Sequence, residues 1–246
     1  MDLGIAGKAA VVAGASAGLG FASAKALAEN GVRVAICSRD RARIEAAADE
    51  IGAGAVPVVA DVSNEAGVRT LIESASEALG GIDILVANSG GPPPGTAMTT
   101  TVDAYRDGLE QSMLSTVGMC LAVAPEMKER GWGRIVAITS SGARNPIPFL
   151  AASSAARAGV TSFLKNLASE LAPHGVTVNS AQPGVHATAR ITQFTTVEEA
   201  ATNVPTQTVG DPRDFGRAVA FLCSDTAKFI TGTGLLIDGG QSGYLL

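Results

Sequence analysis

The first stretch whose residue types could do chemistry is Ala13-Gly14-Ala15-Ser16-Ala17-Gly18-Leu19-Gly20. It follows the apolar run from Ala9 to Ala13 and opens an Ala-rich helical stretch ending near Asn30. A strand, a glycine turn and a helix N-terminus in that order make a phosphate cradle. Gly14 lets the chain turn off the strand, Gly18 lets the backbone approach a pyrophosphate with no Cβ in the way, and Gly20 lets the helix lie close to the sheet. Free N–H groups and the positive end of the helix dipole then face the anion, which makes Gly14, Ser16, Gly18, Leu19 and Gly20 the candidate pyrophosphate contacts.

Further along, Ser38-Arg39 ends a second strand-like segment, where a doubly wound dinucleotide fold reads the adenosine ribose. An acidic side chain there would accept from both hydroxyls of NAD. Neutral Ser38 and cationic Arg39 instead favour a 2′-phosphate through charge-assisted hydrogen bonds, so NADP(H) is preferred and NAD(H) is the alternative. The competing structural reading is a solvated Arg39 paired with Asp40 or Glu45. Asp61-Val62 follows the third strand-like segment and Asn88-Ser89-Gly90-Gly91 the fourth, both at the edge where open α/β sheets bind ligands. Asp61 could accept from an adenine amino group or close an Asx turn. Asn88 could bridge backbone groups between strands, Gly90-Gly91 leave room for a ribose, and Pro92-Pro93-Pro94 would stiffen a loop over the cleft.

These residues need a sheet to hold them. Short apolar or β-branched segments near 8–13, 32–37, 55–60, 82–87, 134–139, 176–181 and 234–238 alternate with helical stretches. That pattern predicts an α/β protein, a doubly wound Rossmann fold with a seven-stranded parallel sheet and helices on both faces. Residues 39–50 read as an amphipathic helix, 64–79 as another with Ser63 as its N-cap and Gly80-Gly81 as its stop. A helix over 102–130 should kink or restart at Pro125, and one over 152–171 should stop before Pro173. Periodicity fades between Pro183 and Asp211, which predicts a substrate loop over about 186–210.

No Pro/Ser/Gly linker divides the 246 residues, so one domain over 1–246 is expected. With 46% hydrophobic and 17% charged residues, a parallel sheet covered on both faces is attainable. The net charge of −5 and the absence of Lys/Arg clusters argue against nucleic acid. Cys37, Cys120 and Cys223 suit reduced thiols of a cytoplasmic protein better than a disulfide frame. His174 and His186 offer no metal-ligand spacing, so no metal is expected, and no apolar run of membrane-spanning length occurs.

At this point the chain resembles a short-chain dehydrogenase/reductase, near the 3-oxoacyl-acyl-carrier-protein reductase branch. The resemblance rests on Gly14, Gly18 and Gly20; Asp61; Ala87-Asn88-Ser89-Gly90; Ile138-Thr139-Ser140-Ser141; Val178-Asn179; Pro183-Gly184; and Thr188. It covers essentially the whole chain. It implies that Pro183, Gly184, Val185 and Thr188 lie by the nicotinamide. The small residues of the 152–171 helix predict close packing on a symmetry mate, a homotetramer or at least a dimer, and the resemblance implies the same, with 232–240 as a subunit-contact element and a small carbonyl/alcohol substrate such as a 3-oxoacyl thioester.

The family's chemistry rests on a Ser, a Tyr-x-x-x-Lys and an Asn. Matching Arg157-Ala158-Gly159-Val160 to the family's Lys-Ala-Gly-hydrophobic run keeps the serine at Ser140 and puts Ser153 and Arg157 at the tyrosine and lysine positions. The asparagine position falls near Ser112. A serine hydroxyl is a much poorer acid than a tyrosine, so a water could carry the proton while Arg157 and Ser140 stabilise an alkoxide. Tyr105 and Tyr244 are the only tyrosines, and His186 is a substitute donor or else a packed loop residue. The altered relay keeps a second function open, a cofactor-binding member with weak or lost catalysis acting as a sensor or oligomer partner.

Overall fold

The computed structural model describes residues 2–191 and 195–243. Phe194, an apolar residue of the expected 186–210 substrate loop, and Tyr244 lie outside the described residues. Seven parallel strands form one sheet: β1 (Ala9–Val12), β2 (Arg33–Ser38), β3 (Val56–Val59), β4 (Ile84–Ala87), β5 (Gly133–Ile138), β6 (Val176–Pro183) and β7 (Gly234–Ile237). Their order is β3-β2-β1-β4-β5-β6-β7. The order reverses between β1 and β4, and at that switch the crossover helices diverge to opposite faces and leave a crevice.

Alternation along each strand decides which residues enter which core. Ala9, Val11 and Leu85 join the layer under α3 (Glu65–Leu79), α5 (Ser115–Arg130) and α6 (Ala151–Leu171). Ala10, Val12, Val34 and Ile84 join the opposite layer under α1 (Gly18–Glu29), α2 (Arg41–Ile51) and α8 (Pro212–Leu222). Both faces are covered, which is why the strands read as unbroken apolar runs.

Three local expectations change. The cap of α3 is Asn64, whose Oδ1 accepts from the Gly67 N–H at 2.9 Å; Ser63 instead donates its N–H to Asp61. The long helix does not break at Pro125, which lies inside α5. The N–H that proline lacks would have met the carbonyl of Leu121, an exposed residue open to water. The irregularity comes earlier, as a π-helical turn over Glu110–Leu114 between α4 (Val102–Leu109) and α5. Within the region of faded periodicity, α7 (Val197–Thr202) forms on a Thr196/Glu199 capping box, a helix too short to leave a periodic signature.

Candidate active site

The glycine turn is held by contacts that a side chain would destroy. Gly14 has φ +57°, and Asn88 at the end of β4 donates from Nδ2 to its carbonyl at 2.9 Å. A Cβ on Gly20 would collide with that same carbonyl oxygen and lie 2.8 Å from Asn88 Nδ2. A Cβ on Gly18 would lie 3.6 Å from Thr188 Cγ2, so the residues expected at opposite ends of a dinucleotide face each other across one gap. Val62 follows Asp61 beyond β3, and Ser16 sits half-buried in the turn.

At the outer edge of the sheet, Arg39 Nη1 lies 4.0 Å from Asp61 Oδ2, a pairing neither Asp40 nor Glu45 provides. Arg39 is 78% exposed, so this contact holds it loosely. Asp61 also closes the Asx turn with Ser63. Burial works against its charged form, but the Ser63 hydrogen bonds and the Arg39 charge hold its carboxyl below the usual value. Ser38 donates its hydroxyl to the Asp40 carbonyl.

The crevice between these edges is a cleft of about 770 Å³ whose walls include Leu19, Asn88, Ser89, Ser140, Ser153, Arg157, Pro183, Gly184, Val185, Thr188 and Arg190. Ser140 lies two residues beyond β5, and its Oγ accepts from the Gly142 N–H at 3.0 Å, so its own O–H is free to donate into the cleft. Ser153 and Arg157 lie four apart on α6 and reach the same wall. The Arg157 guanidinium is buried and donates to the carbonyls of Ile138 (3.0 Å), Ser89 (3.5 Å) and Gly90 (3.4 Å). Burial, and then the charge of Arg190, push it down to about 10, so it stays cationic at neutral pH.

Ser112 does not reach the cleft walls. It sits in the π turn with its Oγ donating to the Gly90 carbonyl at 3.2 Å, the same oxygen that Arg157 approaches. His186 borders the cleft but is packed in its wall, 6% exposed and edge-on to Phe215 at 5.1 Å, with Gly210 against its imidazole. Burial lowers its pKa below the ordinary value, and a ring neutral at pH 7 has no imidazolium proton to give. The Pro92–Pro94 segment does not line the cleft, and Pro92 packs against Gly108 instead. The rim is made by residues 145–150, tied to Gly95 by the Gly95 N–H to Phe149 carbonyl bond of 2.8 Å. Sequence reasoning passed over Arg190, whose only signal is its position two residues after Thr188.

The arrangement fits a dinucleotide. The cradle leaves no space that a Cβ would not fill at Gly14 and Gly20, and two wall hydroxyls, Ser89 Oγ and Thr139 Oγ1, are buried without a partner among the described residues. No described helix is long and apolar enough to cross a membrane, and the described residues hold no metal-binding cluster.

Comparison with known proteins agrees with this geometry. A family profile described as Enoyl-(Acyl carrier protein) reductase matches residues 14–242. The chain is 33% identical to the 3-oxoacyl-[acyl-carrier-protein] reductase of Vibrio cholerae over 97% of its own length and 99% of the relative's. It superposes on L-sorbose reductase of Gluconobacter frateurii, solved with NADPH and L-sorbose, with TM-score 0.93, 28% identity and full coverage of both chains. It also superposes on 3-ketoacyl-(acyl-carrier-protein) reductase of Brucella melitensis, solved with NADH, with TM-score 0.92, 35% identity and coverage of 97% and 100%. A profile match over residues 14–242 and a relative 33% identical over nearly the whole of both chains mean that the chain belongs to the short-chain dehydrogenase/reductase family of oxidoreductases.

Proposed function

We propose that the protein is an NADP(H)-dependent oxidoreductase that moves hydride between the nicotinamide and a small carbonyl or alcohol substrate, with 3-oxoacyl thioesters among the candidates. The observation that carries this is the continuity of one cleft from the glycine cradle to the hydroxyl wall of Ser140 and Ser153. Gly14, Ser16, Gly18, Leu19 and Gly20 would hold the pyrophosphate, and Ser38 and Arg39 the ribose 2′-phosphate. Asp61 and Val62 would border the adenine, Asn88, Ser89 and Gly90 a ribose, and Pro183, Gly184, Val185 and Thr188 the nicotinamide. When bound, that group supplies the hydride.

The chain's own work is at the substrate oxygen. Ser140 donates its free O–H to the oxygen that becomes anionic, and the fixed charge of Arg157 lowers the energy of that anion. Ser153 relays a proton from water, a slower route than a positioned general acid, which contributes on the order of 10² to 10⁴-fold. Ser112 supports the loop from below through the Gly90 carbonyl. The L-sorbose reductase solved with NADPH supports a nicotinamide cofactor, and Arg39 is the reason to favour its phosphorylated form.

The test is NADPH binding by fluorescence together with NADPH oxidation against β-keto esters, diketones and aldehydes. Binding with turnover of at least one carbonyl is expected; binding without turnover on all of them would return the reading to a sensor or oligomer partner. The same reading includes one domain over 1–246, a substrate loop over about 186–210, a cytoplasmic setting that suits three buried free thiols, and a homotetramer. A monomeric mass by light scattering at micromolar concentration would overturn the last of these.

A further inference from the structure

The cleft is lopsided in charge. Arg157 and Arg190 both line it, and none of the described lining residues is Asp or Glu. Neither guanidinium forms an ion pair with a described carboxylate, whereas Arg39, Arg41, Arg106, Arg130, Arg134, Arg213 and Arg217 do; Arg33, Arg43, Arg69 and Arg144, which also lack one, do not line this cleft. The two cations bracket one short segment: Arg157 donates to the Gly90 carbonyl, and a Cβ on Gly91 would lie 3.0 Å from Arg190 Nη2. They feel each other, since Arg190 is a cause of the depressed Arg157 pKa. Two like charges held together in one cleft, with no described carboxylate lining it, form an arrangement that an anion would complete.

Building on the oxidoreductase reading, we propose that the substrate is a carbonyl compound bearing a carboxylate, which Arg190 binds with the buried charge of Arg157 behind it. Arg157 spends its Nη groups on backbone carbonyls, so Arg190 is the guanidinium free to grip a carboxylate with two parallel N–H donors. The same chemistry could come from a phosphate of the cofactor. The substrate is favoured because Thr188 is the residue that approaches the glycine cradle, at 3.6 Å from a Gly18 Cβ, while Arg190 stands at Gly91 beside Arg157.

The experiment compares 2-oxo-4-phenylbutanoate with its ethyl ester, titrated calorimetrically into the full chain with and without saturating NADP⁺, where no turnover occurs. The acid should bind about tenfold more tightly than the ester, the lower end for a charge-assisted pair because Arg190 is solvent-exposed. Its advantage should shrink as salt rises. Arg190→Gln should bring acid and ester level, and Arg190→Lys should keep part of the preference; circular dichroism checks folding. Equal binding of acid and ester by the wild type, or binding of neither, overturns the proposal. So does Arg190→Gln weakening NADP⁺ while the acid-to-ester ratio stays put, which would make Arg190 a cofactor-phosphate ligand. NADPH titrated alone tests the oxidoreductase reading separately: an acid preference in a protein that binds no NADPH leaves the Arg190 carboxylate site standing and removes the oxidoreductase reading with the substrate role built on it.

Discussion

Replacing Gly20 by alanine sets two physical effects against each other inside the cradle. Gly20 lies in the first turn of α1, where alanine gains about 0.5–1 kcal/mol of helix propensity and unfolded-state entropy. Its new Cβ, however, would strike the Gly14 carbonyl, lie 3.0 Å from that carbonyl carbon and sit 2.8 Å from Asn88 Nδ2. Two of those neighbours are backbone, and the third holds the 2.9 Å bond that joins β4 to the turn, so none can swing away. Overpacking of this kind costs about 1–3 kcal/mol, which offsets the propensity gain and leaves a net loss of up to about 2.5 kcal/mol. For a chain of this size that lowers Tm by up to roughly 10 °C. Because relief requires α1 to move off the sheet, NADPH affinity should fall as well. Gly118→Ala in α5 is the control: its nearest neighbours are the Val68 methyls at 3.8 Å, so propensity acts alone and Tm should rise by roughly 1–4 °C. Thermal denaturation and NADPH fluorescence titration read both variants. A Gly20→Ala protein as stable as Gly118→Ala, with unchanged NADPH affinity, would refute the close-approach argument.

Arg39→Asp should weaken NADPH and leave NADH equal or better, and an unchanged preference ratio in equilibrium titrations would remove the 2′-phosphate assignment. Ser153→Tyr with Arg157→Lys should raise single-turnover NADPH oxidation by up to about 10² to 10⁴-fold if proton delivery is what limits, while Ser140→Ala should lower it; the assignment fails if Ser140→Ala and Arg157→Ala leave turnover untouched and His186→Ala abolishes it. Since the folded pKa of His186 lies below its unfolded 6.5, the unfolded state binds more protons between those values, and the histidine's contribution to stability is full above pH 6.5 and lost as pH falls through the folded pKa. Melting from pH 8 to pH 5 should therefore show a wild-type decline that His186→Leu reduces; parallel curves would mean the imidazole titrates as it does in the unfolded chain.

Much of the fold was legible because its signals are local. Ala9 to Ala13, Val34 to Cys37 and Ile84 to Ala87 are apolar runs too short for helices, and a strand buried on both faces cannot look otherwise. Gly14 and Gly20 were legible for a similar reason: a position that excludes every side chain leaves glycine as its mark. The Asn64 cap and the capping box of α7 were missed because neighbouring Ser, Thr, Asn and Asp compete for the same backbone donors, and geometry chooses among them.

What only the tertiary structure decided lies in contacts between distant segments. Ser112 and Arg157 are 45 positions apart, yet both approach the Gly90 carbonyl, and that shared oxygen exists only once the π turn, α6 and the loop after β4 have packed. His186 carries the same imidazole in either reading; burial against Phe215 and Gly210 is what makes it a packed, neutral ring. Arg190 is one of many arginines in the sequence, and it stands apart because the folded chain brings it to Gly91 in a cleft that no described carboxylate lines. Residue type sets what a side chain can donate, accept or exclude, and the fold sets which partners and how much water it meets, which is where charge and hydrogen bonding acquire their energies.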